Sequence, residues 1–293
     1  MEFRLLRYFL AVAREGTVSK AAETLFLTQP TLSRQLSDLE YELGTRLFIR
    51  GKKHIELTEA GMILRQRAEE ILELQEKTVA EIKNRDKNLS GVVSIGAAES
   101  KAAEILPPLI LNFQKKYPAV RFEIQSGVAS FVKDKVDRGL LDLGLLITPG
   151  DIDRYRFLRL GINERCGILM NARSPLAKKQ TVTVSDLIGR PVIANVRKEI
   201  QDFYRQRLGE DFDKLNIIAV FNLINNAAFF AERDDVYIFT IEGCVKNFDK
   251  TVFCFRPFEP EIRQESFLIW KKQEPRNRCL IRFLEEIKNT FQA

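Results

Sequence analysis

The spacing of hydrophobic residues changes near residue 91, and this change constrains the fold of the chain more than any other feature. Before it, hydrophobic residues recur at the three- and four-residue spacing of amphipathic helices. After it, β-like runs such as VVSIG and LDLGLLI alternate with helical stretches. Such alternation predicts α/β layers with a mostly parallel sheet. The chain should therefore have a helical N-terminal part and an α/β C-terminal part.

The stretch SKAAETLFLTQPTLSRQLSDLE, residues Ser19–Glu40, has the pattern of two helices joined by a tight turn. Ser19 is expected to cap the first helix and Thr28 the second, with Pro30 in the first turn of that second helix. The second helix carries one predicted buried stripe of leucines: Leu32, Leu36, Leu39 and Leu43. Two short helices around a tight turn fit a helix-turn-helix.

Uncharged hydrogen-bonding side chains and one arginine occupy the exposed start of the second helix: Gln29, Thr31, Ser33 and Arg34. In helix-turn-helix geometry these positions face the major groove, where Gln and Arg read base edges and Ser and Thr reach bases or phosphates. The alternative is a solvated helix face, since helix-turn-helix shapes also occur in proteins that do not bind DNA.

A basic hairpin follows in RLFIRGKKHIELT, where the β-like runs 47–50 and 54–58 flank a turn. Arg50, Lys52 and Lys53 near its tip would lie beside a duplex as a wing that contacts the phosphate backbone or the minor groove. The alternative is that these cations are only solvated.

Residues 58–88 have the pattern of one long helix with an apolar seam on one side and dense charge on the other. A solvated linker is one interpretation, but pairing with the same helix of a second chain explains the seam better. The positions expected at the dimer contact are Ile63, Leu64, Ile71, Leu74 and Thr78.

Composition excludes several other classes of protein. The formal net charge of +6 and pI of about 9.1 mildly favour a polyanionic partner. Four widely spaced cysteines predict reduced thiols and a cytoplasmic location. The N-terminus is too charged for a signal peptide, and no apolar run reaches the roughly 20 residues of a membrane span. We therefore expect no membrane partner.

Catalytic and metal-binding patterns are absent from the sequence. The single histidine, His54, argues against histidine-based catalysis and histidine-rich metal sites. The α/β part contains neither G-x-x-x-x-G-K-[ST] nor G-x-S-x-G. We therefore predict no catalytic residues, no metal site and no cofactor.

A long run of fixed spacings from Phe9 to Gly61 resembles the N-terminal domain of LysR-type transcriptional regulators. The segment GVVSIGAAESKAAEILPPLI is similar to the opening of that family's effector domain. The matching positions include Phe9, Ala21, Ala22, Leu25, Gln29, Pro30, Ser33, Arg34, Leu39, Glu40, Leu43, Gly44, Leu47, Phe48, Arg50, Leu57, Thr58, Ala60 and Gly61.

This resemblance implies a winged helix-turn-helix domain at residues 1–58, a linker and dimerisation helix at 59–90, and an effector-binding domain at 91–293. The effector domain is expected to have two lobes in a periplasmic-binding-protein-like fold. Lobe I would contain residues 91–161 and 266–293, and lobe II residues 162–265. The resemblance also implies a homo-oligomer, commonly a dimer of dimers. The expected DNA contacts are Ser19, Lys20, Thr28, Gln29, Pro30, Thr31, Ser33, Arg34, Arg50, Lys52 and Lys53.

A ligand cleft in an α/β fold lies at the carboxyl ends of strands, where helix N-termini point inward. Ser100 either caps a helix or donates to a ligand. Helix N-termini carry about half a positive charge, which favours a small anionic metabolite, although Glu99 opposes this preference. The expected effector contacts are Ser100, Gly127, Ser130, Thr148, Asn195 and Arg197.

The expected partners are double-stranded promoter DNA, a small-molecule effector, a second copy of the chain and RNA polymerase. Two alternatives remain open at this point. One is a DNA-binding oligomer that ignores ligands, and the other is an α/β small-molecule-binding protein or enzyme. Ligand-induced protection from proteolysis would separate the first alternative from a metabolite-responsive regulator.

Overall fold

A computed structural model describes residues 1–50, 54–83, 89–147, 152–233, 235–275 and 277–291, without the side chains of Arg50, Ala80, Glu81 and Lys83. The chain divides into two compact units, Met1–Arg85 and Asp86–Ala293, which we call the N-terminal and C-terminal units. Within the described residues, no helix has the length and hydrophobicity that crossing a membrane requires.

The N-terminal unit packs three short helices and a hairpin against the start of a long helix. Phe9, Leu32 and Leu39 are fully buried at the centre of its core. The two strands are antiparallel, with Phe48 opposite Leu57. Its elements are α1 (Phe3–Glu15), α2 (Val18–Thr24), α3 (Gln29–Leu43), β1 (Phe48–Arg50), β2 (Ile55–Leu57) and α4 (Glu59–Lys83).

The helix boundaries follow local sequence signals, with two corrections. Thr28 caps α3 as predicted. The predicted cap of α2 is wrong, because the helix begins at Val18 and Thr17 accepts the N–H of Lys20 at 3.3 Å, which leaves Ser19 inside the first turn. The predicted leucine stripe is buried except at Leu43, which is 40% exposed because it lies in the last turn, beyond the core.

Polar contacts hold the hairpin against α3 and α4. The Glu40 carboxylate accepts the N–H of Leu47 at 2.7 Å. The Thr58 hydroxyl donates to the Arg46 carbonyl at 2.8 Å and accepts the N–H of Gly61 at 3.0 Å. A Cβ at Gly61 would approach the Leu47 carbonyl oxygen to 2.2 Å, so only glycine allows this close approach. The hairpin strands are therefore fixed on the helices that flank them.

The C-terminal unit contains strands and helices that alternate along the chain, together with 3-10 helices at 101–105, 175–178, 184–187 and 209–214. The strands are β3 (Gly91–Ala97), β4 (Val120–Ser126), β5 (Leu143–Ile147), β6 (Tyr155–Asn171), β7 (Pro191–Asn195), β8 (Asn216–Phe221), β9 (Tyr237–Ile241), β10 (Phe253–Pro257) and β11 (Arg263–Lys271). The α-helices are α5 (Leu106–Lys116), α6 (Ala129–Arg138), α7 (Lys198–Leu208), α8 (Ile224–Arg233), α9 (Glu242–Val245) and α10 (Arg278–Phe291).

The described strands follow the order β4-β3-β5-β11-β6-β9-β7-β8, and β10 also pairs with β6. The prediction of a mostly parallel sheet is wrong. β3 is parallel to β4 and β5, and β7 is parallel to β8 and β9. Every pairing of β6 and β11, however, is antiparallel. The sheet is mixed because these two long strands run in opposite directions through its middle.

Strands β6 and β11 also connect two lobes. We call the part built on β3–β5 lobe I and the part built on β7–β10 lobe II. Each lobe has its own hydrophobic core, centred on residues such as Phe113 in lobe I and Phe239 in lobe II. The two lobe boundaries expected from the sequence, at 161–162 and 265–266, fall on β6 and near the start of β11. There the pairing of the two strands shifts between Glu265 and Phe267.

Candidate functional site

The first turn of α3 is an exposed polar surface. Gln29, Pro30, Thr31 and Arg34 are all exposed. The Thr28 hydroxyl accepts the N–H of Thr31 at 3.4 Å and lies 2.8 Å from the Thr31 hydroxyl. Thr28 is therefore engaged in capping the helix, whereas the side chains of Gln29 and Arg34 point to solvent.

Arg34 forms no salt bridge with any residue in the described part of the chain. A guanidinium has five N–H donors in a rigid fork, which matches the acceptor edge of guanine or a phosphate. Its position on the first turns of α3 leaves these donors available to an external partner.

The other predicted DNA contacts are partly exposed and partly outside the described residues. Ser19 and Lys20 are exposed in the first turn of α2, and Ser33 is half-buried on α3. The backbone of Arg50 ends β1, but its side chain, Lys52 and Lys53 lie outside the described residues. The wing contacts stay a prediction from the sequence.

The predicted seam of α4 divides into two faces. Leu64 and Ile71 pack beside Ala68 and Leu72 against α1 of the same chain. Ile63, Leu74 and Thr78 are exposed instead, with Ile63 at 60% and Leu74 at 44%. Part of the seam is thus covered by α1 of the same chain, and the remaining part is exposed.

A cleft opens between the two lobes of the C-terminal unit, with a volume of about 100 Å³. It lies at the ends of β3, β7 and β9, where the strands lead into helices. Of the predicted effector contacts, Gly127, Asn195 and Arg197 line it. The lining also includes Ala98, Glu99, Ile147, Ile200, Tyr204, Phe221, Asn222, Phe239, Thr240, Ile241, Cys244 and Gln264.

Ser130 is not part of the lining. It is exposed in the first turn of α6, so its side chain faces solvent. Thr148 lies outside the described residues. Ser100 is buried next to the lining residue Glu99, and its hydroxyl has no hydrogen-bond partner in the described structure. It makes no capping bond to the helix that follows, so the capping interpretation of Ser100 is wrong.

Arg197 is the cation of the cleft. Its Nε and backbone N–H both donate to the Asn195 Oδ1, at 3.2 and 3.0 Å. Burial lowers the pKa of Arg197, although Glu199 acts in the opposite direction. No described carboxylate forms a salt bridge with it. A partly desolvated guanidinium without a counter-ion favours an anion in the cleft.

A buried carboxylate holds the lobes together beside the cleft. Glu164 on β6 is 1% exposed, and it accepts the backbone N–H of Lys101 from lobe I and that of Gly243 from lobe II, the latter at 3.1 Å. Burial raises the pKa of Glu164, whereas these N–H donors act to lower it. A Cβ at Gly243 would come within 2.1 Å of the Lys101 nitrogen. Glycine at this position therefore lets the two lobes touch.

Three further contacts surround Glu164, two of which join lobe I to lobe II, and we call the whole group the clasp. Arg165 donates to both oxygens of Glu242 at 2.8 and 2.6 Å. Lys246 pairs with Glu104 at 2.7 Å. The Cys244 thiol donates to the Glu99 carbonyl at 3.0 Å, and burial raises its pKa to about 12, so it stays protonated. Because Glu99 and Cys244 also line the cleft, the clasp and the cleft share residues.

Glu164 is not among the residues predicted from the sequence, although one local signal points to it. Leu160, Ile162, Glu164, Cys166 and Ile168 alternate along β6 and share one face of the strand. A single acid on an otherwise apolar face needs buried hydrogen-bond donors. Which donors it finds could not be inferred, because they come from residues 101 and 243.

Comparison with known families finds two matches that together cover most of the chain. The family described as "Bacterial regulatory helix-turn-helix protein, lysR family" matches residues 3–62. The family described as "LysR substrate binding domain" matches residues 86–292. These ranges contain the exposed first turn of α3 and the inter-lobe cleft, respectively.

Individual proteins agree with these matches. The Hca operon transcriptional activator HcaR of Escherichia coli is 30% identical over 98% of both chains. The transcriptional regulator AlsR of Bacillus subtilis is 33% identical to this chain in a match that covers 68% of this chain and 65% of AlsR. The crystal structure of full-length CbnR with its target DNA shares the fold, with a TM-score of 0.76 at 20% identity, and the match covers 99% of this chain and all of that one.

The clasp can be tested with Gly243→Ala. The added methyl group has no space between Lys101 and Glu164, so we expect a loss of about 1–3 kcal/mol in the unfolding free energy of the C-terminal unit. Denaturant unfolding followed through Trp270, the only tryptophan, measures it. The control Asn247→Ala changes an exposed residue just after α9 and should stay within about 0.5 kcal/mol of wild type. Equal stability of both variants would contradict the close contact.

Proposed function

Because the chain belongs to the LysR family of bacterial helix-turn-helix transcriptional regulators, we propose that α3 reads promoter DNA and that a small anion in the inter-lobe cleft controls this binding. The protein is a DNA-binding transcriptional regulator. We assign DNA reading to residues 1–58, self-association to 59–90 and effector binding to 91–293. The observation that carries the DNA part is the exposed first turn of α3 inside a matched helix-turn-helix domain.

DNA recognition is assigned to Gln29, Thr31 and Arg34, with Pro30 shaping the start of the helix. The N-terminal residues of the second helix enter the major groove in this motif. Gln29 can pair with adenine and Arg34 with guanine, in each case through two hydrogen bonds. Ser19 and Lys20, exposed in the first turn of α2, are assigned to phosphates, since helix starts and lysines bind the backbone.

Self-association is assigned to the exposed apolar face of α4. Ile63 and Leu74 lie on a helix whose remaining exposed surface is rich in charge. An apolar stripe of this kind is stable in water when a second helix covers it. Leu64 and Ile71 contribute less to this contact than the sequence predicted, since they already pack on α1. The partner is a second copy of this chain.

The effector is assigned to the chemical class of small carboxylates or similar anions. Arg197 supplies the charge, and the Ser100 hydroxyl, which has no hydrogen-bond partner among the described residues, lies beside the lining as a further donor. The cleft volume of about 100 Å³ is smaller than the roughly 150 Å³ cavity that holds benzene in another protein, so the ligand is small or the lobes open to admit it. Since the clasp shares residues with the cleft, ligand binding acts directly on the contact between lobes.

A regulator bound at a promoter also lies close to RNA polymerase, which we therefore retain as a partner. HcaR is a transcriptional activator, and the alternative of an enzyme has no support from the relatives. The alternative of a ligand-independent DNA-binding oligomer is separated from the proposal by the calorimetric test of Arg197 given below.

Arg34→Ala tests DNA reading. We expect a loss of about 1–3 kcal/mol on the specific site, because two hydrogen bonds to one base are removed. The matched control Arg34→Lys keeps the charge but not the fork, so it should lose base preference while it retains non-specific binding. Gel shifts on duplexes selected by the wild-type protein provide the measurement. Unchanged specific binding by Arg34→Ala would show that α3 is oriented differently.

Leu74→Glu tests self-association. A charge at the centre of the apolar face should dissociate the oligomer, because a carboxylate is costly to bury without a partner. The control Leu74→Met retains apolar volume and should leave the assembly intact. Light scattering of the full-length proteins gives their masses. An intact oligomer for Leu74→Glu would exclude this face as the contact.

Arg197→Gln tests the effector site. Calorimetric titration of the full-length protein with a panel of small carboxylates should give heat for at least one of them with wild type, and none with the variant. Lys198→Gln removes a cation from the exposed neighbouring position and should bind like wild type. If wild type gives no heat with any carboxylate, the anionic class is wrong. Equal binding by wild type and Arg197→Gln would place the anion elsewhere.

A further inference from the structure

The turn between α2 and α3 is closed by two backbone hydrogen bonds. The N–H of Phe26 donates to the Glu23 carbonyl at 3.1 Å, and the N–H of Leu27 donates to the Ala22 carbonyl at 2.9 Å. This pair is the Schellman arrangement, which requires a left-handed residue just after the helix. Phe26 is that residue, with φ of +55°. The turn therefore imposes a left-handed conformation on a phenylalanine.

Phenylalanine is an unfavourable choice for this position. Glycine accepts a left-handed φ without steric cost and asparagine tolerates it, whereas a bulky side chain is strained. The chain uses glycine at the equivalent position after α1, α3 and α6, namely Gly16, Gly44 and Gly139. Among the residues that the structure describes, Phe26 alone combines a side chain with a positive φ.

The phenyl ring does not stabilise the fold in return. Phe26 is 96% exposed, whereas its neighbours Leu25 and Leu27 pack against the core of the N-terminal unit. Strain and exposure thus coincide on one side chain, and the ring has no compensating contact with the core among the residues that the structure describes. Such a combination marks a residue whose function lies outside the folded unit.

The position of Phe26 identifies the partner. It precedes the cap Thr28 by two residues, which span at most about 7 Å of chain, so the ring lies beside the first turn of α3. That turn offers Gln29, Thr31 and Arg34 for hydrogen bonds, and Phe26 is the large apolar side chain next to them. The apolar group that the major groove presents is the C5 methyl of thymine.

We propose that Phe26 is a specificity-determining residue, which packs its phenyl ring against a thymine methyl next to the bases read by α3. This inference rests on the proposed DNA-reading role of α3. The left-handed turn carries the ring away from the protein core and towards the groove. The strain at Phe26 is retained because glycine or asparagine at this position could not make the apolar contact.

The test uses the full-length protein and the duplex that it enriches most strongly from a randomised library. Phe26→Asn should be at least as stable to heat as wild type, because asparagine tolerates the left-handed conformation. The same variant should bind the duplex roughly tenfold more weakly, the size expected for loss of a buried phenyl contact. Phe26→Leu keeps an apolar side chain and should bind within a few-fold of wild type.

The thymine itself is tested by replacing single thymines with uracil, which lacks the methyl group. At one position, uracil in place of thymine should weaken binding of the wild-type protein by about the same factor as Phe26→Asn weakens binding to the unmodified duplex. The Phe26→Asn variant should bind the uracil duplex and the unmodified duplex equally well. If the losses in binding free energy from the uracil substitution and from Phe26→Asn add together, the ring does not contact that methyl group. Wild-type binding that is insensitive to every uracil would likewise overturn the proposal.

The remaining outcomes separate this proposal from the proposed function. If the wild-type protein enriches no sequence, the DNA-reading role of α3 fails. If wild type binds specifically but Phe26→Asn binds equally well, only the inference about Phe26 fails. In that case, lost activation of transcription by Phe26→Asn would assign the ring to a protein partner. A markedly lower melting temperature for Phe26→Asn would show that the ring stabilises the fold, and this would also overturn the proposal.

Discussion

The burial of one carboxylate, Glu164, determines how the two lobes of the C-terminal unit meet. A charge removed from water requires hydrogen-bond donors, and Glu164 finds them in backbone N–H groups from both lobes. Its two oxygens are therefore satisfied only while Lys101 and Gly243 stay together. The cleft lies beside this contact and shares Glu99 and Cys244 with the clasp. The proposed anion at Arg197 would therefore lie beside the contact that Glu164 makes between the two lobes.

In the N-terminal unit, too, a few polar contacts and a buried helix face fix the position of the exposed surface. Buried leucines of α3 fix one face of the helix, and the opposite face of its first turns is left to polar side chains. Glu40 and Thr58 anchor the hairpin by bonds to the backbone, so the hairpin strands are held without a large core. The left-handed turn at Phe26 sets the direction in which α3 leaves α2. In both units, then, a group that is energetically unfavourable by itself lies beside the proposed functional surface. This group is the buried Glu164 in the C-terminal unit and the left-handed Phe26 in the N-terminal unit.

Several features could be predicted from the sequence because their causes are local. The cap at Thr28, the glycines that end α1 and α3, and the polar start of α3 each depend on a few adjacent residues. Predictions were wrong where neighbouring residues compete for the same cap position, or where residues far apart in the chain determine which side chains are buried. Thr17 replaces Ser19 as the cap because the helix begins two residues earlier than a cap at Ser19 would indicate. Ser130 leaves the cleft because the first turn of α6 presents it to solvent. The dimer contact predicted for Leu64 and Ile71 stays a prediction, and both residues also pack against α1.

The sequence by itself determined the helix-turn-helix, the long amphipathic helix and the alternation of strands with helices. These features follow from periodicity and from caps, which act over a few residues. Only the tertiary structure decided that the sheet is mixed, that Arg197 lies in the cleft with no salt bridge to a described carboxylate, and that Glu164 joins the lobes. The physical reason is that strand direction and buried hydrogen bonds depend on residues far apart in the chain, such as 101, 164 and 243, and no local pattern records which of them meet.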